Sequence, residues 1–164
     1  MYLGQYDSAF FYFKKSIDGE HNPPQHSAML VFGLPPFALV ALDAIAGIYW
    51  INGYEEEAEY YFNEQIKISS RIIDMGRKPP YSPYYDLASV YAFKGEKEKA
   101  YEYLRLLNQQ FKGQLLIVTA INNEFLFDSI RDEPEFQQIV REMETKYQAE
   151  HERVRHWLEE NDML

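Results

Sequence analysis

The chain has 164 residues, no cysteine, and 16 basic against 26 acidic side chains, for a formal net charge of −10. That length can bury a core of its own, and 46% hydrophobic with 16% aromatic residues argues against a disordered chain. The acidic balance disfavours nucleic acid or an anionic membrane as the main partner, and the lack of cysteine removes disulfide frameworks, thiolate nucleophiles and Cys-based zinc sites.

The first residues, Met1 to Asp7, lack the basic stretch and apolar run of a secretory signal, so a cytoplasmic location is expected. A helix is expected over 5–18, with Phe10, Phe13 and Ile17 on one face. A connector over 20–35 holds His21 and His26; no further metal ligand stands near them, and a loop is their expected setting. From Ala28 to Ile51 the only charged residue is Asp43, and a run of that length could span a bilayer. Pro35 and Pro36 inside the run, Asp43 near its centre and the absence of a basic flank oppose a membrane helix. No membrane insertion is expected, and a buried helix is expected over 36–52.

Further helices are expected over 54–75, 82–94 and 96–111, in a short piece within 113–130, and over 134–160, about seven in all. The helix over 54–75 runs long, through Ile66, Ile68, Ile72 and Ile73, until Gly76 and Pro79–Pro80 end it. Three segments repeat without gaps: Gly4 to Phe13, Gly53 to Phe62, and Gly95 to Leu104. Each reads Gly, four mostly polar residues, Ala, two residues, an aromatic and a large apolar residue. Glycine lets the chain turn between antiparallel helices, and alanine sits where the second helix crosses close to the first. The helices ahead of the glycine also match. Ile45 and Leu87, Ala46 and Ala88, and Tyr49 and Tyr91 occupy equivalent places on one helical face.

This pattern resembles the tetratricopeptide repeat. It is met at Ile45–Ala46, Tyr49, Gly53, Ala58 and Phe62, and again at Leu87–Ala88, Tyr91, Gly95, Ala100 and Leu104. The family's usual proline after the second helix is absent at Ser70 and Lys112, and both glycine spacings exceed the usual repeat of about 34 residues. The segment Phe127 to Phe136 resembles the one that closes many bacterial tetratricopeptide arrays, through Phe127, Asp128, Arg131, Pro134 and Phe136. From the residues alone it is a helix entrance: Asp132 or Glu133 caps, Pro134 takes the first turn, and Phe136 begins the apolar face. The resemblance implies an all-α superhelix of helical hairpins ending in a long C-terminal helix. Its expected divisions, within a single domain 1–164, are a half repeat 1–19, the connector 20–35, repeats 36–78 and 79–112, and a closing segment with the long terminal helix 113–164. A half repeat without its first helix leaves an apolar stripe uncovered. The expectation is therefore the C-terminal part of a larger regulatory or sensory protein, or residues 21–34 folding back over the gap.

Candidate chemistry is sparse. His151 and His156 stand five apart, about 140° out of line on a helix, unlike the four-residue spacing of zinc proteases. The serines lack a nucleophile elbow, there is no glycine-rich phosphate loop, and the acidic clusters fall at helix starts, where they complement the dipole. No catalytic residue, metal or cofactor is expected. In the resembled family the first helix of each hairpin lines a concave ligand face. Those positions map onto Asp43, Gly47, Trp50 and Ile51, and onto Tyr85, Ser89, Ala92 and Phe93. Chaperone-binding members carry Lys and Asn there, and this sequence carries neither. The face it does carry, aromatic with one acid, suits an extended apolar or basic peptide. The alternative is that Trp50 and Phe93 pack on the next helix or the connector.

Along the last helix Phe136, Val140, Met143, Tyr147, Val154 and Trp157 follow a heptad stripe broken by Glu150. Val154, Trp157 and Leu158 return as an apolar patch after a polar stretch, pointing to a second copy, to another domain, or to a fold-back onto the second repeat. Residues 113–164 hold 12 acidic and 5 basic side chains, so a basic partner is to be sought there. The expected function is a non-catalytic protein–protein interaction or scaffold module with an unidentified protein or peptide partner. The alternative is a regulatory or dimerisation appendage of a chain whose upstream domain is an enzyme.

Overall fold

The computed structural model describes residues 41–76 and 82–163, which form helices joined by short turns, with no strand among them. In chain order these are α1 (Ala41–Ile51), α2 (Glu55–Asp74), α3 (Pro83–Phe93), α4 (Lys97–Gln110), α5 (Leu115–Asn123), a 3₁₀ turn (Phe125–Phe127) and α6 (Pro134–Glu160). The all-α helical-repeat class expected from the sequence is the class observed. The helix expected over 5–18, the connector with His21 and His26, and the first residues of the helix over 36–52 lie outside the described residues. No helix among the described residues is long and apolar enough to cross a membrane.

The chain divides into two compact units, with described residues up to Ile68 in the first and those from Ser69 onward in the second. In the first, α1 turns into α2 through Gly53. Here the Gly53 amide donates to the Trp50 carbonyl and the Tyr54 amide to the Tyr49 carbonyl, each at 3.0 Å. These two bonds close a helix C-terminus in the Schellman manner. Beneath the turn, Ala46, Ala58 and Phe62 are fully buried, and Tyr49 stacks on Tyr61 with ring centroids 5.5 Å apart.

The second unit repeats this plan. The Gly95 amide donates to the Ala92 carbonyl at 3.1 Å, and the Glu96 amide to the Tyr91 carbonyl at 2.9 Å. Gly95 takes φ +75°, a left-handed conformation open to glycine at no steric cost. Ala88, Ala92 and Ala100 are fully buried where α3 and α4 meet. Leu104 and Leu107 of α4, Phe127 and Ile130 of the closing segment, and Phe136 and Met143 of α6 complete one buried cluster. Each such side chain contributes about 1.5–3 kcal/mol. At the other side of α3, the buried Ser69 hydroxyl donates to Asp86 Oδ2 at 3.0 Å. That bond gives the last turns of the long α2 a place in the second unit.

Candidate functional site

The residues expected to face a ligand on α1 are Asp43, Gly47, Trp50 and Ile51. Asp43 and Gly47 are buried, whereas Trp50 is 42% and Ile51 69% exposed at the C-terminal end of the helix. The end itself is fixed by the amide of Asn52, whose Nδ2 donates to the Ile48 carbonyl at 2.8 Å. Trp50 and Ile51 therefore stand on a well-closed helix terminus.

The corresponding residues of α3 are placed differently. Tyr85 is half-buried and meets Phe127 edge-on, with centroids 5.7 Å apart. Phe93, also half-buried, meets Phe125 edge-on at 6.1 Å. Ser89 has no exposed surface, and its hydroxyl donates to the Asp86 carbonyl at 3.0 Å. Ala92 is buried, and its carbonyl accepts from Ser129 Oγ at 2.7 Å. The 3₁₀ turn and Ser129 thus cover the face of α3 that the family resemblance assigns to a ligand. Asp43, Trp50 and Ile51 share α1 in the first unit; Tyr85, Ser89 and Phe93 share α3 in the second.

The closing segment is held by one side chain to which the sequence reading gave no role. Arg131 donates from Nη1 to the Asn122 carbonyl at 2.7 Å and to the Ile121 carbonyl at 3.3 Å. From Nη2 it reaches the Glu124 carbonyl, and Asp128 accepts from Nε at 3.0 Å and from Nη2 at 2.8 Å. One guanidinium fork therefore satisfies the carbonyls left open at the end of α5. The signal was the arginine of the Phe127–Phe136 motif.

Glu133 stands at the N-cap of α6 with Pro134 in the first turn, where a cap was expected, but its carboxylate makes no cap bond. It accepts instead from Lys97 Nζ and, at 2.8 Å, from the Tyr101 hydroxyl. The Lys97 bond and then the Tyr101 bond hold this carboxyl below the usual range, while burial and Glu133 push the Tyr101 hydroxyl up. Farther along, Arg105 pairs with Glu135, and Asn108 Nδ2 donates to Glu142 at 2.6 Å. Lys146 Nζ donates to Asn108 Oδ1 at 2.8 Å and to its carbonyl at 2.7 Å. These contacts form a polar seam tying α4 to α6.

The tail residues Val154, Trp157 and Leu158 lie on the last turns of α6; Val154 is 40% and Trp157 50% exposed, and Leu158 is half-buried. His151 lies beside the Tyr147 ring, and His156 Nδ1 is 3.4 Å from Glu159. Among the described residues no cluster of His, Asp and Glu could hold a metal ion.

The tetratricopeptide repeat family model matches residues 81–108, the span of the α3–α4 hairpin with its Gly95 turn. No curated protein and no solved structure shows significant similarity to the chain. The matched hairpin and the all-helical architecture make this a protein that contains a tetratricopeptide repeat.

Proposed function

We propose that the chain is a non-catalytic scaffold module of a larger regulatory or sensory protein, and that it takes up an extended protein or peptide segment at the exposed end of α1. The observation that carries this reading is the repeat hairpin itself. A tetratricopeptide repeat is in general a protein–protein interaction unit, and residues 81–108 match it. Trp50 and Ile51 supply the contact, because they sit on the family's ligand-facing helix and are exposed. Their chemistry suits an apolar side chain of an extended peptide, and a flat indole adds a large contact area at little entropic cost.

The test is quantitative recovery of binding partners on immobilised full-length chain. Trp50→Ala with Ile51→Ala lowers recovery by about tenfold or more, the loss expected when aromatic and aliphatic anchors are removed. Leu116→Ala, at a site 80% exposed on α5, leaves it unchanged. Equal recovery from the double variant and the parent chain defeats the reading.

A further inference from the structure

The inner stripe of α6 outlasts the body it covers. Phe136, Val140 and Met143 are buried, Tyr147 is packed against the same cluster, and Glu150 closes over Gly113. A side-chain carbon placed on Gly113 would stand 2.9 Å from Glu150 Cβ, so at this point the α4–α5 linker touches the helix. With Val140 and Tyr147 at heptad position a and Met143 and Glu150 at d, the same register continues through Val154, Trp157 and Asn161. That continuation is exposed, with Val154 at 40% and Trp157 at 50%.

We propose that residues 150–161 are a homotypic docking site that pairs antiparallel with the same segment of a second copy. Val154 then packs against the partner's Trp157, and Trp157 against the partner's Val154. Two observations select this occupant and this orientation. The first is charge. Arg153 and Glu160 both fall at position g, and antiparallel helices bring g beside g, so Arg153 meets the partner's Glu160 at both ends of the seam. A parallel pair sets g beside e, placing Arg153 against the partner's Leu158, where its only acidic neighbour is Glu150 of its own helix at 2.6 Å. The second is space. The body occupies the stripe as far as Glu150, so parallel helices would bring two bodies onto the same stretch. Antiparallel pairing about the midpoint of Val154 and Trp157 leaves the two Glu150 residues about 16 Å apart along the axis, with one body at each end.

The seam is short, burying less than about 1,200 Å², so the dimer exchanges with monomer and grows with concentration. This site shares no residue with the Trp50 and Ile51 surface, and the two proposals can fail independently.

Sedimentation velocity of the full chain, from low micromolar to near-millimolar concentration, tests it. The average mass rises from 19.5 kDa toward twice that value. Trp157→Glu, at an exposed site, keeps the chain folded and monomeric throughout. Arg153→Glu weakens association about tenfold or more by placing like charges together. Adding Glu160→Arg restores it to within about threefold of the parent. That rescue cannot arise inside one helix, where the two positions lie about 10 Å apart along the axis. A parent chain that stays monomeric, a Trp157→Glu variant that associates like the parent, or a charge swap without rescue overturns the proposal.

Discussion

Tyr91 lies face to face on Tyr103, with ring centroids 5.7 Å apart and planes 5° from parallel, and one repeat earlier Tyr49 lies the same way on Tyr61. Each pair bridges the two helices of its hairpin, directly beneath the carbonyl that closes the glycine turn. In the second hairpin Lys99 Nζ stands 4.7 Å from the Tyr91 ring centre, adding a cation to the outer face. Burial pushes the Tyr103 hydroxyl above its ordinary range. Tyr103→Ala is expected to cost about 1–3 kcal/mol, and Tyr103→Phe under about 0.5. A double-mutant cycle with Tyr91→Ala in urea is expected to show a coupling of about 1 kcal/mol. A coupling of zero would mean that the stack merely accompanies the packing.

Arg131→Ala is expected to cost about 2–4 kcal/mol, because several carbonyls at the end of α5 lose charged donors together. Arg131→Lys should recover less than half of that loss, since one ammonium cannot imitate the fork. Amide exchange offers the sharper reading: protection over 120–128 falls before that of α3 and α4 in the alanine variant. Uniform loss across the unit would contradict the local role.

Gly113 and Gly95 both take positive φ, at +84° and +75°, but only Gly113 faces a neighbour where a side chain would go. Gly95→Ala should cost about 1 kcal/mol from backbone strain alone. Gly113→Ala should cost at least about 1 kcal/mol more, because it drives α6 away at Glu150. Equal losses in chemical denaturation would show that α6 yields freely there.

Glu133 gives a pH signature. Its pKa is lowered on folding, first by the Lys97 hydrogen bond and then by that of Tyr101. Its contribution to stability is therefore fully present above the ordinary glutamate range and is lost as pH falls through the lowered value. Tyr101 has the opposite sign: raised by burial and by Glu133, it contributes fully below its ordinary pKa of 10.0 and loses that contribution as pH rises through the raised value. Thermal melts of Glu133→Gln and the parent chain should differ at neutral pH and converge toward pH ~3. A gap that is constant with pH would remove the carboxylate from this account.

The repeat positions were legible because each has a single structural solution. A glycine with a small residue five places later and a tyrosine four before admits little besides a tight hairpin, and Gly53 and Gly95 deliver it. The end of α2 was legible for the same reason, with Gly76 following its last turn. Glu133 shows where local reading stops. Its place at the helix entrance is a matter of neighbouring residues, but the direction of its carboxylate depends on Lys97 and Tyr101, distant in sequence. The covering of Tyr85 and Phe93 by the 3₁₀ turn is likewise a long-range outcome that no periodicity encodes. Exposure at Trp50, Ile51, Val154 and Trp157 is a property of the assembled chain; a sequence pattern can only nominate the residues.

The polar seam between α4 and α6 has a consequence for the order of assembly. A ribosome delivers the repeat hairpin well before the residues that cover it. Until α6 has emerged, Leu104 and Leu107 lack the neighbours it brings to their cluster, and Lys97, Arg105 and Asn108 wait for Glu133, Glu135 and Glu142. The hairpin therefore passes through synthesis as a sticky, incompletely satisfied intermediate. Translation arrested near residue 130 should yield a nascent chain that is readily proteolysed and held by chaperones. Emergence of residues 131–160 should convert it to a resistant form in one step.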